Sequence, residues 1–228
     1  MKVILFGATG MVGQGVLREC LLDPEVGEVL AVGRTPTGQA HAKLREIVHS
    51  DLGQLSPIEQ DLSGYDACFF CLGISSLGMS EDAYHRVTYD LTMAAATALA
   101  RRDPAMTFIY VSGTGTDSSE RGRTMWARVK GKTENALLAL PFRAKYMFRP
   151  GFIQPLHGIK SRTRWVRVLY AIAGGLYPLL RRLFPGTITN TEEIGRAMIR
   201  AARSGAPRTV LENADISALA RPVALPAP

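Results

Sequence analysis

Apolar residues fall in short runs separated by helical stretches, and the alternation holds as far as Pro150. Val3, Ile4, Leu5 and Phe6 form a continuous apolar run, the pattern of a strand buried on both faces, and Gly7 ends it. From Met11 to Leu22 the period becomes helical. Val12, Val16 and Leu17, with Cys20 or Leu21, make one face, and Pro24 marks the stop. Further strands are predicted at residues 26–32, 44–48, 66–72, 106–111 and 145–148. Between them lie an alanine-rich helix from 81 or 82 to 99, closed by Asp103-Pro104, and a helix over 125–140. Strands and helices alternating through short connections predict a doubly wound, mostly parallel sheet with helices on both faces, a three-layer α/β fold.

The rhythm is lost after Pro150. Residues 165–182 read as helical turns interrupted by Gly174-Gly175 and Pro178. Residues 191–203 predict a helix with Thr191 as N-cap and Glu192 and Glu193 in its first turn. Beyond Leu219 the proline content predicts a surface strap or a disordered tail.

The first strand runs directly into Gly7-Ala8-Thr9-Gly10-Met11-Val12-Gly13. In such a loop Gly7 permits the tight turn, Gly10 lets the backbone approach a pyrophosphate, and Gly13 lets the helix lie close to the sheet. The pyrophosphate would sit on the free amides at the helix start, beside Thr9, Met11 and Val12. This is the dinucleotide loop of a Rossmann fold. The second strand ends Ala31-Val32-Gly33-Arg34 without an acid for a ribose 2′-hydroxyl, and an arginine there pairs with a 2′-phosphate. The expected cofactor is therefore NADP(H) rather than NAD(H). Asp51-Leu52 after the third strand is placed to meet the adenine, and Leu72-Gly73 after the fourth to pass the adenosine ribose.

Composition narrows the classes. With 228 residues, 46% hydrophobic and 21% charged, the chain fits one folded domain over 1–228, and disorder of the whole is excluded. The net charge of +7 is scattered: Arg162, Arg164 and Arg167 are separated from Arg181 and Arg182 by an apolar run. No nucleic-acid partner is expected. Cys68 and Cys71 have the C-x-x-C spacing but fall on a strand, where positions i and i+3 face opposite ways, so neither a disulfide nor a shared metal is expected. His41, His49, His85 and His157 do not cluster with acids, and no metal site is predicted. Reduced cysteines and an N-terminus that enters a strand at once, with no secretory segment, lead to the expectation of a cytoplasmic protein. The apolar stretch 168–180 is too short, at about 13 residues, to span a bilayer.

The G-A-T-G-x-V-G start, Cys71-Leu72-Gly73, Ser112-Gly113 after the fifth strand and Lys130 on the next helix resemble the atypical short-chain dehydrogenases/reductases. Within them the chain is similar to the Tat-interacting oxidoreductase-like proteins and to bacterial NAD-dependent epimerase/dehydratase family proteins, over most of residues 1–200. The resemblance implies a serine, a tyrosine and a lysine acting together. The lysine binds the nicotinamide ribose and lowers the tyrosine's pKa, and the phenol exchanges a proton with a substrate whose oxygen the serine holds. Lys130 and Ser112 match, but Trp126 stands at the tyrosine position, and an indole offers only an N–H donor. Tyr84, Tyr89, Tyr110, Thr114, Thr116 and His85 are the remaining candidates for a proton donor. Pro150-Gly151 matches the place where such proteins line the nicotinamide pocket with backbone groups.

The resemblance thus implies an NADP(H)-binding oxidoreductase acting on a carbonyl or alcohol substrate. Its alternative is a cofactor-binding regulatory or redox-sensing protein with little turnover. Residues 152–190 are the expected substrate side or partner side, with an apolar 165–180 segment. That segment suits a helical hairpin packed on the core, a small apolar substrate, a partner surface or a peripheral membrane contact.

Overall fold

The N-terminal apolar run becomes the centre of the sheet. In the computed structural model, which describes residues 1–159 and 186–221, Val3, Ile4, Leu5 and Phe6 of β1 (Lys2–Phe6) are wholly excluded from solvent. Such a strand needs partners on both edges and helices on both faces. β1 pairs in parallel with β2 (Glu28–Gly33) on one side and β4 (Ala67–Phe70) on the other. Adding β3 (Leu44–Val48), β5 (Thr107–Val111), β6 (Ala144–Arg149) and β9 (Val210–Glu212) gives a 7-stranded sheet in the order β3-β2-β1-β4-β5-β6-β9. Every pairing in it is parallel.

The pleat divides the core in two. Val3 and Leu5 point to one face, which is covered by α1 (Met11–Leu22), α5 (Thr191–Ser204) and α6 (Asn213–Ala220). Ile4 and Phe6 point to the other, covered by α3 (Leu91–Arg102) and α4 (Met125–Leu138). This is the three-layer Rossmann-like fold that the pattern predicts. Cys68 lies in the second core and Cys71 packs against the first, and both are free, as their strand spacing implies.

Four local features depart from the pattern. The long helix is broken: α2 (Glu81–His85) passes into a π-helical turn (Arg86–Asp90) before α3. There the Leu91 amide donates to the Arg86 carbonyl, five residues back, while Thr92 Oγ1 donates to the Thr88 carbonyl at 2.5 Å. A hydroxyl competing for a helix carbonyl disturbs the regular ladder. The cap of α5 is Asn190 rather than Thr191, because β8 (Ile188–Asn190) carries extended backbone one residue further; Asn190 Oδ1 accepts from the Glu193 amide at 2.8 Å. β8 forms a separate parallel pair with β7 (Phe152–Gln154). Finally, β9 and α6 follow a stretch that the sequence pattern leaves without elements, and α6 runs past Leu219 to Ala220. The expectations for residues 165–182, for the basic cluster at 162–167, for Arg181 and Arg182, and for the tail at 222–228 lie outside the described residues.

Two contacts tie together elements distant in sequence. α1 and α5 touch through glycine: a Cβ on Gly15 would stand 2.4 Å from Thr191 Cβ, and one on Gly195 would stand 2.7 Å from Glu19 Cγ. α4, β6 and β9 are joined by ions. Glu134, 1% exposed, accepts from Arg149 Nη2 at 2.5 Å and Nε at 3.1 Å, and Arg149 also reaches Glu212 at 3.2 Å.

Both contacts carry expected outcomes in urea denaturation. Gly15→Ala is expected to destabilise by about 2 kcal/mol through overpacking, whereas Gly27→Ala, with nothing within 4 Å of the added carbon, should stay within about 0.5 kcal/mol of wild type. Arg149→Met strands a buried carboxylate and is expected to cost about 3–5 kcal/mol, most of it regained in the Arg149→Met/Glu134→Leu double variant. Equal losses in the single and double variants would show that the ion pair is not what holds α4 to β6.

Candidate dinucleotide site

At the carboxyl end of β1 the chain turns at Gly7 with φ +83°, and a Cβ there would lie 2.8 Å from the Cys71 carbonyl carbon and the Leu72 nitrogen. Both conditions demand glycine. Gly13 is required by a closer approach, since its Cβ would lie 2.0 Å from the Gly7 carbonyl oxygen. At Gly13 the helix therefore lies against the loop itself. Gly10 is the extended residue at the head of α1, its amide donating to the Gly7 carbonyl at 2.9 Å. No side chain caps this end of α1 and no acid occupies its first turn, so its amides and positive dipole end suit an anion.

A cleft of about 320 Å³ opens beside the loop, on the β2–β3 side of β1. Gly7, Thr9, Arg34, Leu52 and Leu72 line it, so the structure gathers most of the residues that the sequence assigns to an adenosine. Asp51 is not among them: it turns back, Oδ1 accepting from the Gly53 amide at 2.9 Å, and acts as a turn residue. Gly73 is exposed, and a Cβ on it would meet nothing within 4 Å, so no close approach explains it. The cleft also contains an acid that the end of β2 does not reveal. Glu46 of β3, in register with Ala31, lines it and accepts from the Thr37 amide at 2.7 Å.

A second set of residues lies across the switch point, at the carboxyl ends of β5 and β6. Lys130 Nζ donates to the Ser112 carbonyl at 3.0 Å and the Val111 carbonyl at 3.4 Å, and lies 5.5 Å from the Tyr110 ring centroid. Desolvation pulls its pKa down to about 8, with Glu134 acting in the opposite sense. Ser112 Oγ is 2.5 Å from Glu134 Oε1 and 3.2 Å from the Phe148 carbonyl. Glu134, ion-paired with Arg149, and the Phe148 carbonyl both accept from Ser112 Oγ, the carboxylate at the shorter distance. Trp126, one helical turn before Lys130, is half-buried against the loop after β5, its Cη2 3.5 Å from where a Cβ on Gly115 would stand.

The other candidate donors differ: the two threonines bond to backbone carbonyls, whereas the buried Tyr110 hydroxyl has no hydrogen-bond partner. Thr114 Oγ1 donates to the Arg149 carbonyl and Thr116 Oγ1 to the Gly113 carbonyl. Tyr110 and Tyr84 are buried, and burial raises both phenols above their ordinary pKa. Tyr89 packs on His85 with ring centroids 4.6 Å apart, and Lys132 Nζ lies 4.9 Å above its ring. His85 faces Asp90 at 3.3 Å. Pro150 and Gly151 also serve the fold: the Pro150 carbonyl accepts from the Thr114 amide, and the Gly151 amide donates to Asn213 Oδ1. Besides Glu46 in the cleft, sequence reasoning missed Glu134 and its partnership with Arg149. Their only signal was that Glu134 falls four residues after Lys130, on the same helix face.

Among the described residues no group of three His, Cys, Asp or Glu could hold a metal ion, and no helix is long and apolar enough to cross a membrane.

No family model matches the chain. Individual proteins do. Protein fmp52, mitochondrial, of Aspergillus clavatus is 31% identical over 212 residues, 88% of this chain and 86% of that protein. Protein HTATIP2 of Rattus norvegicus is 29% identical over 155 residues, 67% of this chain and 62% of its own length. Among solved structures, the Bordetella bronchiseptica enzyme WbmF in complex with NAD+ superposes with a TM-score of 0.65 at 15% identity, covering 95% of this chain and 76% of WbmF. Two expectations are corrected. The NADP(H) preference drawn from Arg34 does not stand: the structural neighbour WbmF carries NAD+, and here the Glu46 carboxylate shares the cleft with Arg34. The cytoplasmic expectation does not stand either, since the fungal relatives are named as mitochondrial proteins. With its glycine loop, its parallel sheet and 31% identity over most of both chains, this chain belongs to the FMP52 family and carries a three-layer Rossmann-like fold.

Proposed function

We propose that the chain binds NAD(H) and works as an oxidoreductase on a carbonyl or alcohol compound. The observation that carries this reading is the loop at Gly7, Gly10 and Gly13, where the backbone packs too closely on itself for side chains at Gly7 and Gly13 and leaves the uncapped start of α1 beside a cleft of about 320 Å³. In this reading the first-turn amides of α1 hold the pyrophosphate, Leu52 and Leu72 enclose the adenine, and Glu46 accepts from a ribose hydroxyl. Across the switch point Lys130, anchored to two carbonyls, turns its third N–H to the nicotinamide ribose. When bound, the dinucleotide supplies or takes up hydride. Ser112 and Trp126 face the reacting end. The whole chain acts as one dinucleotide-binding domain.

A second reading, a cofactor-binding regulatory protein with little turnover, is favoured by the commitment of the Ser112 proton to Glu134.

Calorimetric titration with NAD+ tests the shared premise. Lys130→Met is expected to weaken binding about tenfold, the loss of one charge-assisted hydrogen bond. Lys130 is protonated below its pKa of about 8 and loses its charge above it, so wild-type affinity should fall as pH rises through that value. The Lys130→Met variant should show no such fall. Undetectable NAD+ binding by the wild type would refute both readings, and a pH-independent affinity would remove Lys130 from the site.

A further inference from the structure

β2 ends without an acid, yet the cleft beside it holds one from the neighbouring strand. β3 pairs in parallel with β2 so that Glu46 stands beside Ala31 and Val48 beside Gly33. Residues paired in this way leave a sheet on the same face. Glu46 therefore rises on the side of α1, where Leu44, two residues earlier, packs against Val29 and Ala31. Ala31 contributes only a methyl group there, and both residues line the cleft. The loop that leaves β2 fixes the carboxylate in place: the Thr37 amide donates to Glu46 Oε1 at 2.7 Å. Arg34 lines the same cleft, is exposed, and forms no ion pair among the described residues.

The two charges make opposite demands on a ligand. A ribose with both hydroxyls free presents donors, and a carboxylate only accepts, so Glu46 suits the diol. A phosphate monoester presents a charge of about −1.5 to −2 at neutral pH. Arg34 would pair with that group, but Glu46 would face it as a like charge. The carboxylate cannot swing aside without giving up the Thr37 amide. The cleft thus holds a partner for a 2′-phosphate and, fixed beside it, the group that opposes one.

Resting on the NAD(H) reading above, we infer that Glu46 is the residue that sets cofactor choice: from β3 it holds the adenosine ribose diol and repels a 2′-phosphate that Arg34 would otherwise accept. Selectivity of this kind is a difference of two affinities, built as much from the repulsion as from the attraction.

The test is calorimetric titration of the full chain with NAD+ and NADP+ and with their adenosine halves, 5′-AMP and 2′,5′-ADP, which ask nothing of the nicotinamide end. The wild type is expected to bind NAD+ about tenfold tighter than NADP+, and 5′-AMP tighter than 2′,5′-ADP. Glu46→Gln keeps an oxygen to accept from the Thr37 amide and removes only the charge. It should weaken NAD+ binding and tighten NADP+ and 2′,5′-ADP binding about tenfold. Adding Arg34→Met should erase the gain for NADP+. Opposite movement of the two cofactors separates selection from loop shaping, since a residue that only held the Thr37 loop would weaken both when changed. Weakening of both overturns the assignment. So does an unchanged ratio of affinities in Glu46→Gln, or a wild type that binds NADP+ as tightly as NAD+; in each case NAD+ binding by the wild type leaves the NAD(H) reading standing. A gain that survives Arg34→Met removes Arg34 as the partner of the phosphate. A wild type that binds neither dinucleotide overturns both the assignment and the reading beneath it.

Discussion

The structure depends on how closely the backbone approaches itself at Gly7. Its positive φ turns the chain out of a fully buried strand, and its position leaves no room for a side chain against Cys71 and Leu72 at the end of β4. Gly13 then brings the first turn of α1 down onto the Gly7 carbonyl. Three elements meet at one point, and that point is the place in a parallel sheet where neighbouring strands send their connections to opposite faces. A crevice is unavoidable there. The fold thus creates the cleft and the amide-lined helix start by one geometric requirement, and any side chain at Gly7 or Gly13 would disturb both.

The second half of the site is organised by charge rather than by backbone. Glu134 is nearly excluded from water, which is costly for a carboxylate unless it is paired, and Arg149 supplies a two-pronged partner from β6. The same carboxylate takes the Ser112 proton and bears on the charge of Lys130 one turn earlier. One buried anion therefore ties α4 to the ends of β5 and β6 and sets what two candidate site residues can do. Removing it would alter the fold and the chemistry together, which is why single substitutions here must be read beside their compensated doubles.

Most of the fold was legible because β1, β2, β4 and β5 each carry four consecutive apolar residues, and the first helix has matching boundaries in pattern and structure. β9 was concealed: Val210-Leu211-Glu212 is too short to show any periodicity and becomes a strand by pairing with β6. The π turn was hidden because Arg86–Asp90 contains no glycine or proline to mark it. At the site, the glycine loop was legible because Gly7 and Gly13 each answer a local steric demand. Glu46 was not, since the adenosine cleft draws its acid from the neighbouring strand rather than from the end of β2. Glu134 was not, because a glutamate on a helix reads as a solvated residue until its partner arrives from another strand.

Trp126 gains its meaning from that hidden carboxylate. Taken alone, an indole at this position would leave Ser112 free to donate to a substrate oxygen, and the site would keep part of its capacity for carbonyl chemistry. With Glu134 in place the serine cannot donate, and Lys130 is drawn to the backbone at the end of β5. What remains at the end of β5 is the Lys130 ammonium, whose burial loosens its proton while leaving its charge beside the backbone. The chemistry open to the site is therefore set less by the residue that is missing than by the buried ion pair that holds the Ser112 hydroxyl.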